Sequence, residues 1–315
     1  MLTGWIIALV LSLVALVFCA DRFTHASTQL ARLLRLPEFI VGVTVVSIGT
    51  SLPELITSIV GVSTGRAGGA ELVLGTVIGS NVANILLIAG LTAVVVKKIA
   101  LEHRIIELET VLLAISGGFL VLTAMDGEVT RSEGLFMVVA YIILAVFAVK
   151  QYKTERVDRI RHFPATQNTA MILLNIGVFG VGLAGAAWGV VRSTLSLAEL
   201  TGLSTSALAV TAVALGTSLP ELIVTLRAAY NKHADLAIGN IIGSNVFNVL
   251  AIVGIPAMIH NLPVSSDMIF IGLPFFVAAT VLYIFTGMSK KLNAYEGAIF
   301  LLLYGVFLGK IFHWF

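Results

Sequence analysis

Gly49-Thr-Ser-Leu-Pro-Glu-Leu-Ile56 recurs without change as Gly216-Thr-Ser-Leu-Pro-Glu-Leu-Ile223, 167 residues further along the chain. The same offset aligns Leu30 with Leu197, Ala31 with Ala198, Leu36 with Leu203 and Thr44 with Thr211. A second block, Gly79-Ser-Asn-Val-Ala-Asn84, returns as Gly243-Ser-Asn-Val-Phe-Asn248 at an offset of 164. Leu, Val and Ala align by chance between any two apolar helices. Eight consecutive identities that include Pro and Glu do not. The chain therefore contains a duplication.

The repeat is embedded in an apolar chain. Of its 315 residues 58% are hydrophobic and 11% are charged. Soluble proteins carry roughly 25% charged residues, so a soluble globular enzyme is excluded. Charge-free runs cover residues 1–20, 72–96, 163–191, 236–266 and 268–289, and about 20 apolar residues suffice to cross a bilayer as a helix. Breaking the chain where charges, Pro and Gly cluster predicts ten spans, at 3–31, 39–61, 71–96, 104–124, 132–150, 168–198, 205–230, 236–259, 267–287 and 293–312. The expected fold is an all-α polytopic membrane protein with ten transmembrane helices. Met1 to Ala20 lacks the basic n-region of a signal peptide, and Phe18 before Cys19 spoils a lipoprotein cleavage site, so the first span reads as a retained helix.

Fifteen Lys and Arg residues fall in odd-numbered connections, against four on the other side: Arg66, Arg131, Arg192 and Lys310. The positive-inside rule then puts the odd connections in the cytoplasm and both termini outside, as in a multi-pass protein of the cell membrane. Trp5 and Trp314 fall at the outer interface as aromatic anchors. Five spans separate equivalent positions of the two copies. Because five is odd, the copies enter the membrane from opposite sides. The predicted organisation is a five-helix repeat over 1–150, a charged cytoplasmic linker over 151–167 and an inverted five-helix repeat over 168–315. Inverted repeats mark secondary transporters, whose site lies near the midplane at the repeat interface.

Among the acidic residues only Glu54 and Glu221 lie well inside predicted spans with apolar flanks. A charged side chain at the bilayer centre is costly, so an intramembrane carboxylate is a functional candidate. Pro53 and Pro220 lack an amide proton and clash with the carbonyl four residues back, which bends each helix and frees carbonyl oxygens. One helical turn sets Ser47, Thr50, Ser51 and Glu54 near one face, and Ala214, Thr217, Ser218 and Glu221 likewise in the second copy. Ser80 and Asn84 share a face, as do Ser244 and Asn248. Gly75, Gly79, Gly239 and Gly243 are small positions that let helices approach closely. Asn81 and Asn245 point elsewhere, where they can brace the broken helices. Carboxylates, hydroxyls, amides and carbonyls together make an all-oxygen set suited to a hard cation, calcium before magnesium. The six His fall near span ends, which disfavours a zinc site or a hydrolase. No phosphate-cradling loop is present for ATP. One cysteine and a net charge of +2 exclude an intrachain disulfide and a nucleic-acid footprint.

The paired GTSLPE strings, each followed by a GSNxxN string, resemble the two alpha-repeats of the cation/calcium exchanger superfamily, and the prokaryotic sodium/calcium exchangers in particular. The resemblance covers the whole chain. It implies exchange of cytoplasmic calcium for external sodium, with calcium held by Glu54, Glu221 and the backbone carbonyls of Thr50 and Thr217. It further implies sodium sites involving Ser51 and Ser80 on one side and Ser218 and Ser244 on the other, with Asn84 nearby. First and sixth spans that slide past a fixed core are implied as well. Asn248 stands where many such exchangers carry Asp, which removes a possible third carboxylate. Ser47 stands where Ala is common, and Ala214 is its counterpart.

The expected partners are calcium and sodium ions and the lipid bilayer, with no resident cofactor and no enzymatic activity. A proton-coupled calcium exchanger of the same superfamily is the nearest alternative, and a cation channel is the alternative from another class. An intramembrane protease is disfavoured by the lack of mid-span His and of paired catalytic Asp.

Overall fold

The computed structural model describes residues 2–33, 47–65, 68–100, 103–155, 169–231, 234–288 and 291–314. Helix α1 (Leu2–Leu33) is followed by a short α2 (Ser47–Thr50) and α3 (Leu52–Ser63). Next come α4 (Glu71–Val96), α5 (His103–Ala124), α6 (Arg131–Glu155) and α7 (Thr169–Thr201). A bent pair, α8 (Thr205–Thr217) and α9 (Leu219–Tyr230), leads to α10, which comprises Ala234–Phe247, a π-helical Asn248–Val253 and Gly254–Ile259. Helices α11 (Leu273–Met288, entered through a π turn at Met268–Gly272) and α12 (Ala294–Ile311) complete the chain. Among the described residues six helices are long and apolar enough to cross a membrane, or seven with α8 and α9 taken as one bent span. The protein is thus an all-helical membrane protein. The start of the predicted second span, residues 39–46, and most of the predicted linker, 156–167, lie outside the described residues. Helix α6 runs past the predicted span end at 150 to Glu155.

Local chemistry accounts for the helix ends. Pro53 and Pro220 occupy the first turns of α3 and α9, where a missing amide proton costs nothing. Each new helix starts after a residue outside helical geometry, Ser51 (φ −88°, ψ 6°) or Ser218 (φ −83°, ψ 3°). The axis bends by 44° between α8 and α9. The break therefore precedes each proline by two residues. At α12, Asn293 accepts from the Glu296 amide at 3.1 Å while Glu296 accepts from the Asn293 amide at 2.8 Å, a capping box. Thr130 and Glu133 make the same reciprocal pair at α6, at 3.4 and 2.8 Å.

Two small strand pairs join connections that are distant in sequence, a feature absent from the sequence expectation. Strand β1 (Lys98–Ala100) pairs antiparallel with β4 (Lys291–Asn293), Lys98 opposite Asn293. Strand β2 (Glu128–Val129) pairs with β3 (Leu262–Pro263), Glu128 opposite Pro263.

Helices α4 and α10 are almost wholly buried and cross at the centre, with α5, α6, α11 and α12 packed around them. Helices α1 and α7 pack mainly on each other through Leu9, Leu16, Leu183, Ala187 and Val190, and their outer faces are apolar and exposed. Glycine makes the central packing possible. A Cβ on Gly79 would lie 2.6 Å from the Val210 carbonyl oxygen and 2.9 Å from the Ala214 Cβ, so α4 touches the backbone of α8. Gly75 meets Ala209 in the same way, at 2.8 Å. Both glycines act as the close-approach positions that their sequence context predicts.

Candidate functional site

The two helix breaks face one another across the repeat. Ser51 and Ser218 are the residues at the breaks, and neither side chain caps its own following helix. They reach across instead. The Ser51 hydroxyl donates to Glu221 Oε1 at 2.8 Å, and the Ser218 hydroxyl donates to Glu54 Oε1 at 3.2 Å. Each carboxylate is therefore held by the serine of the other copy.

Ser80, brought in by α4, donates to Glu54 Oε1 at 2.9 Å and contacts the Ser218 hydroxyl. Its counterpart Ser244 is buried, and its hydroxyl has no hydrogen-bond partner among the described residues. The two copies are thus not equivalent at this position.

Glu54 and Glu221 are 0% and 1% exposed. The second oxygen of each, Oε2, has no hydrogen-bond partner among the described residues, and no Lys or Arg there neutralises either group. An uncompensated buried carboxylate is costly, so this pair is a site that a cation can stabilise. No three His, Cys, Asp or Glu side chains converge among the described residues. Any cation held between the glutamates must then draw its remaining ligands from hydroxyl, amide and backbone oxygens.

Thr50 and Thr217 lie one turn before the carboxylates and Ser47 and Ala214 about two turns before them, all four buried. The Thr50 hydroxyl donates to the Ser47 carbonyl at 3.2 Å, and the Thr217 hydroxyl donates to the Ala214 carbonyl at 3.2 Å. Those two carbonyls also accept the backbone amides of Ser51 and Ser218, at 3.1 and 3.0 Å. The Ser47 and Ala214 carbonyls are thus engaged by the helical ladder, which continues up to the break.

Asparagines join α4 to α10. Asn248 donates to Asn81 Oδ1 at 3.0 Å, Asn81 donates to the Asn245 carbonyl at 3.3 Å, and Asn84 donates to Asn245 Oδ1 at 3.5 Å. Asn81 and Asn245 therefore brace the two crossing helices, rather than the broken ones as the sequence suggested. The Oδ1 atoms of Asn84 and Asn248 are buried without a partner among the described residues. Both asparagines sit at the π-helical stretches Ala83–Ala89 and Asn248–Val253. Such stretches are wider than α-helix and are frequent at functional sites.

Sequence reasoning missed Asn240. Its side chain accepts from Thr50 Oγ1 at 3.3 Å and donates to Thr225 Oγ1 at 3.0 Å and to the Glu221 carbonyl at 3.5 Å. The signal was an amide three residues before Gly243 in an otherwise apolar stretch.

Known proteins match nearly the whole chain. The family described as sodium/calcium exchanger protein matches residues 4–150 and 171–312. Inner membrane protein YrbG of Escherichia coli (strain K12) is 33% identical over 259 residues, covering 80% of this chain and 78% of that protein. The sodium/calcium exchanger MaX1 of Methanosarcina acetivorans is 30% identical over 379 residues, covering 99% of this chain and all of that one (100%). A structure of the sodium-calcium exchanger NCX_Mj, soaked with 100 mM Na+ and 10 mM Sr2+, aligns with a TM-score of 0.70 at 26% identity, over 97% of this chain and 98% of that chain. The matched intervals contain both broken helices and both buried glutamates, so this chain is a transporter rather than an enzyme and belongs to the sodium/calcium exchanger protein family.

Proposed function

We propose that the protein is a secondary active antiporter that exchanges calcium for sodium across a cell membrane by alternating access. The observation that carries this reading is the crossed pairing of Glu54 with Ser218 and of Glu221 with Ser51. Two carboxylates balance one divalent ion. The oxygens of Thr50, Thr217, Ser51, Ser218, Ser80, Ser244, Asn84 and Asn248, with the carbonyls of Ser47 and Ala214, supply an all-oxygen surround. Calcium takes about 6 to 8 such ligands at flexible geometry. Sodium ions compete for the same oxygens, and that competition couples the two fluxes.

The architecture assigned to this function is ten spans in two inverted five-helix repeats, 1–150 and 168–315, joined by a cytoplasmic linker at 151–167. The strand pairs support the parity of that count. Strand β1 lies in the third connection and β4 in the ninth; β2 lies in the fourth and β3 in the eighth. Pairing joins odd with odd and even with even, as ten spans require. The His313–Asp267 contact at 3.8 Å likewise puts the C-terminus with the eighth connection. With the basic asymmetry, both termini face outward. In a Cys19→Ala background, Tyr230→Cys should react with an impermeant thiol reagent only from the cytoplasmic side and Leu203→Cys only from outside; the reverse pattern would overturn the orientation.

Proteoliposomes test the transport reaction. Calcium uptake should follow an imposed sodium gradient and vanish without a counter-ion. Uptake driven by a proton gradient alone would select the proton-coupled alternative, and calcium flux with no counter-ion would select a channel.

A further inference from the structure

The repeat that pairs Gly79 with Gly243 also pairs Thr76 with Asn240, and the repeat that pairs Glu54 with Glu221 pairs Ser58 with Thr225. The two sets of side chains behave differently. In the second copy Asn240 ties three groups on two helices together: the Thr50 hydroxyl of α2, and the Thr225 hydroxyl and the Glu221 carbonyl of α9. In the first copy Thr76 and Ser58 are each 0% exposed, and neither hydroxyl has a partner among the described residues. Thr57, beside Ser58, is in the same condition. The mirror of the Asn240–Thr50 bond would run from residue 76 to Thr217, but Thr217 donates to Val213 and Ala214 of its own helix. A threonine at 76 is one bond shorter than an asparagine and carries no amide to bridge the gap.

We propose that Asn240 is a clasp that closes one half of the ion route, and that its replacement by Thr76 in the mirrored position leaves the other half unclasped. In the orientation proposed above, on which this inference rests, α9 descends from Glu221 to the cytoplasm and α3 rises from Glu54 to the outside. The clasp then seals the cytoplasmic half. The external half is lined instead by the bare hydroxyls of Thr57, Ser58 and Thr76, groups that an entering hydrated cation can engage. Buried polar atoms without partners are costly, so the external half gains from solvent entry while the cytoplasmic half loses bonds on opening. The resting preference is for external access. Asn240 is a positioning residue in this scheme, since it acts through Thr50 and the Glu221 backbone.

Two opposed substitutions test this, by hydrogen exchange of the full chain in lipid nanodiscs without transported ions. Asn240→Thr should raise amide exchange in Leu219–Tyr230 by about fivefold or more, the scale of two lost net hydrogen bonds, and leave Leu52–Ser63 unchanged. Thr76→Asn should slow exchange in Leu52–Ser63 and leave Leu219–Tyr230 unchanged. Asn240→Leu keeps the size of the side chain and removes all three bonds, so it should behave as Asn240→Thr if that variant folds poorly. Equal acceleration of both segments would mark a general packing residue, and an unchanged Leu219–Tyr230 would remove the clasp; either result overturns the proposal. In oriented proteoliposomes the half-saturating calcium concentration should fall on the cytoplasmic face and rise on the external face for Asn240→Thr, and move in the same direction for Thr76→Asn, because unclasping the cytoplasmic half and clasping the external half both raise the cytoplasm-open fraction, with which apparent affinity scales. Absence of sodium-dependent exchange in the parent would defeat the functional reading, while the hydrogen-exchange result still judges the clasp.

Discussion

Helices α4 and α10 form the buried centre of the molecule, and α1 and α7 form a pair at its edge; the same apolar composition serves opposite ends in the two regions. In the centre the polar side chains are turned inward. Ser80, Asn81, Asn84, Asn245 and Asn248 are all at most 1% exposed; the asparagines are linked across the crossing and Ser80 is bonded to Glu54. Lipid offers no partner for such groups, so every hydrogen bond between them fixes a relative position. At the edge the contacts are apolar side chains and small residues, closed at one end by the Arg192 guanidinium over Trp5 and Trp188, at 5.8 and 5.0 Å. An interface of that kind can shift without leaving polar groups unpaired. The difference teaches that buried polar side chains are concentrated in one region, while the other presents an apolar interface of the kind that the proposed alternating access needs in order to move as a body.

The largest effect should come from neutralising the centre. Glu54→Gln or Glu221→Gln leaves a divalent ion half-compensated in a site of low dielectric, and calcium exchange should fall by roughly tenfold or more in each variant while the protein remains folded. Near-normal exchange in both would remove the carboxylates from the ion site. Measurement of uptake beside a folding control, such as a monodisperse elution profile, separates lost function from lost structure.

Packing at the two regions should differ next. Gly79→Val forces a side chain into the backbone of α8, where a Cβ already meets Val210 Cα at 2.7 Å. Overpacking of that kind costs about 1 to 3 kcal/mol or more, read as a lower unfolding temperature. Gly185→Val on α7 meets nothing within 4 Å and should shift stability by no more than about 0.5 kcal/mol. Equal losses would contradict the contrast between a tight centre and an open edge.

The smallest effect should come from joining the edge pair to itself. A Cβ on Gly182 would stand 3.7 Å from the Cys19 Cβ, close to the spacing of about 3.8 Å that a disulfide prefers. Gly182→Cys should therefore cross-link α1 to α7 under oxidation. If the pair moves as one body, exchange should stay within about twofold of the reduced protein, a change near the limit of assay scatter on a scale where 1.4 kcal/mol is tenfold. Complete inhibition on oxidation, reversed by reductant, would show that α1 and α7 must move against each other.

Much of the site was legible because the chain states it twice. Glu54 and Glu221 stand out as carboxylates in apolar spans, and duplication separates Ser51, Ser80, Ser218 and Ser244 from serines that merely pack. The twelve residues proposed from the sequence as ion ligands are all buried. What they bind to could not be read from one copy at a time. The serine at each break serves the opposite carboxylate, a bond over 170 residues in one case and 164 in the other. The π-helical stretches at Asn84 and Asn248 were equally hidden, because an extra residue per turn changes hydrogen-bond register without changing composition.

Hydropathy, the intramembrane glutamates, the prolines and the internal repeat follow from residue chemistry along the chain, so the sequence by itself determined a helical membrane protein with two broken helices and the candidate oxygens of the proposed site. The tertiary structure alone decided which copy supplies each hydrogen bond, that Ser80 is engaged while Ser244 has no partner among the described residues, and that Asn240 ties Thr50, Thr225 and Glu221 together while Thr76 ties nothing among them. The physical reason is that side-chain type is a local property, whereas hydrogen bonds of about 3 Å depend on how helices remote in sequence cross, and small differences in side-chain length decide whether a bond forms.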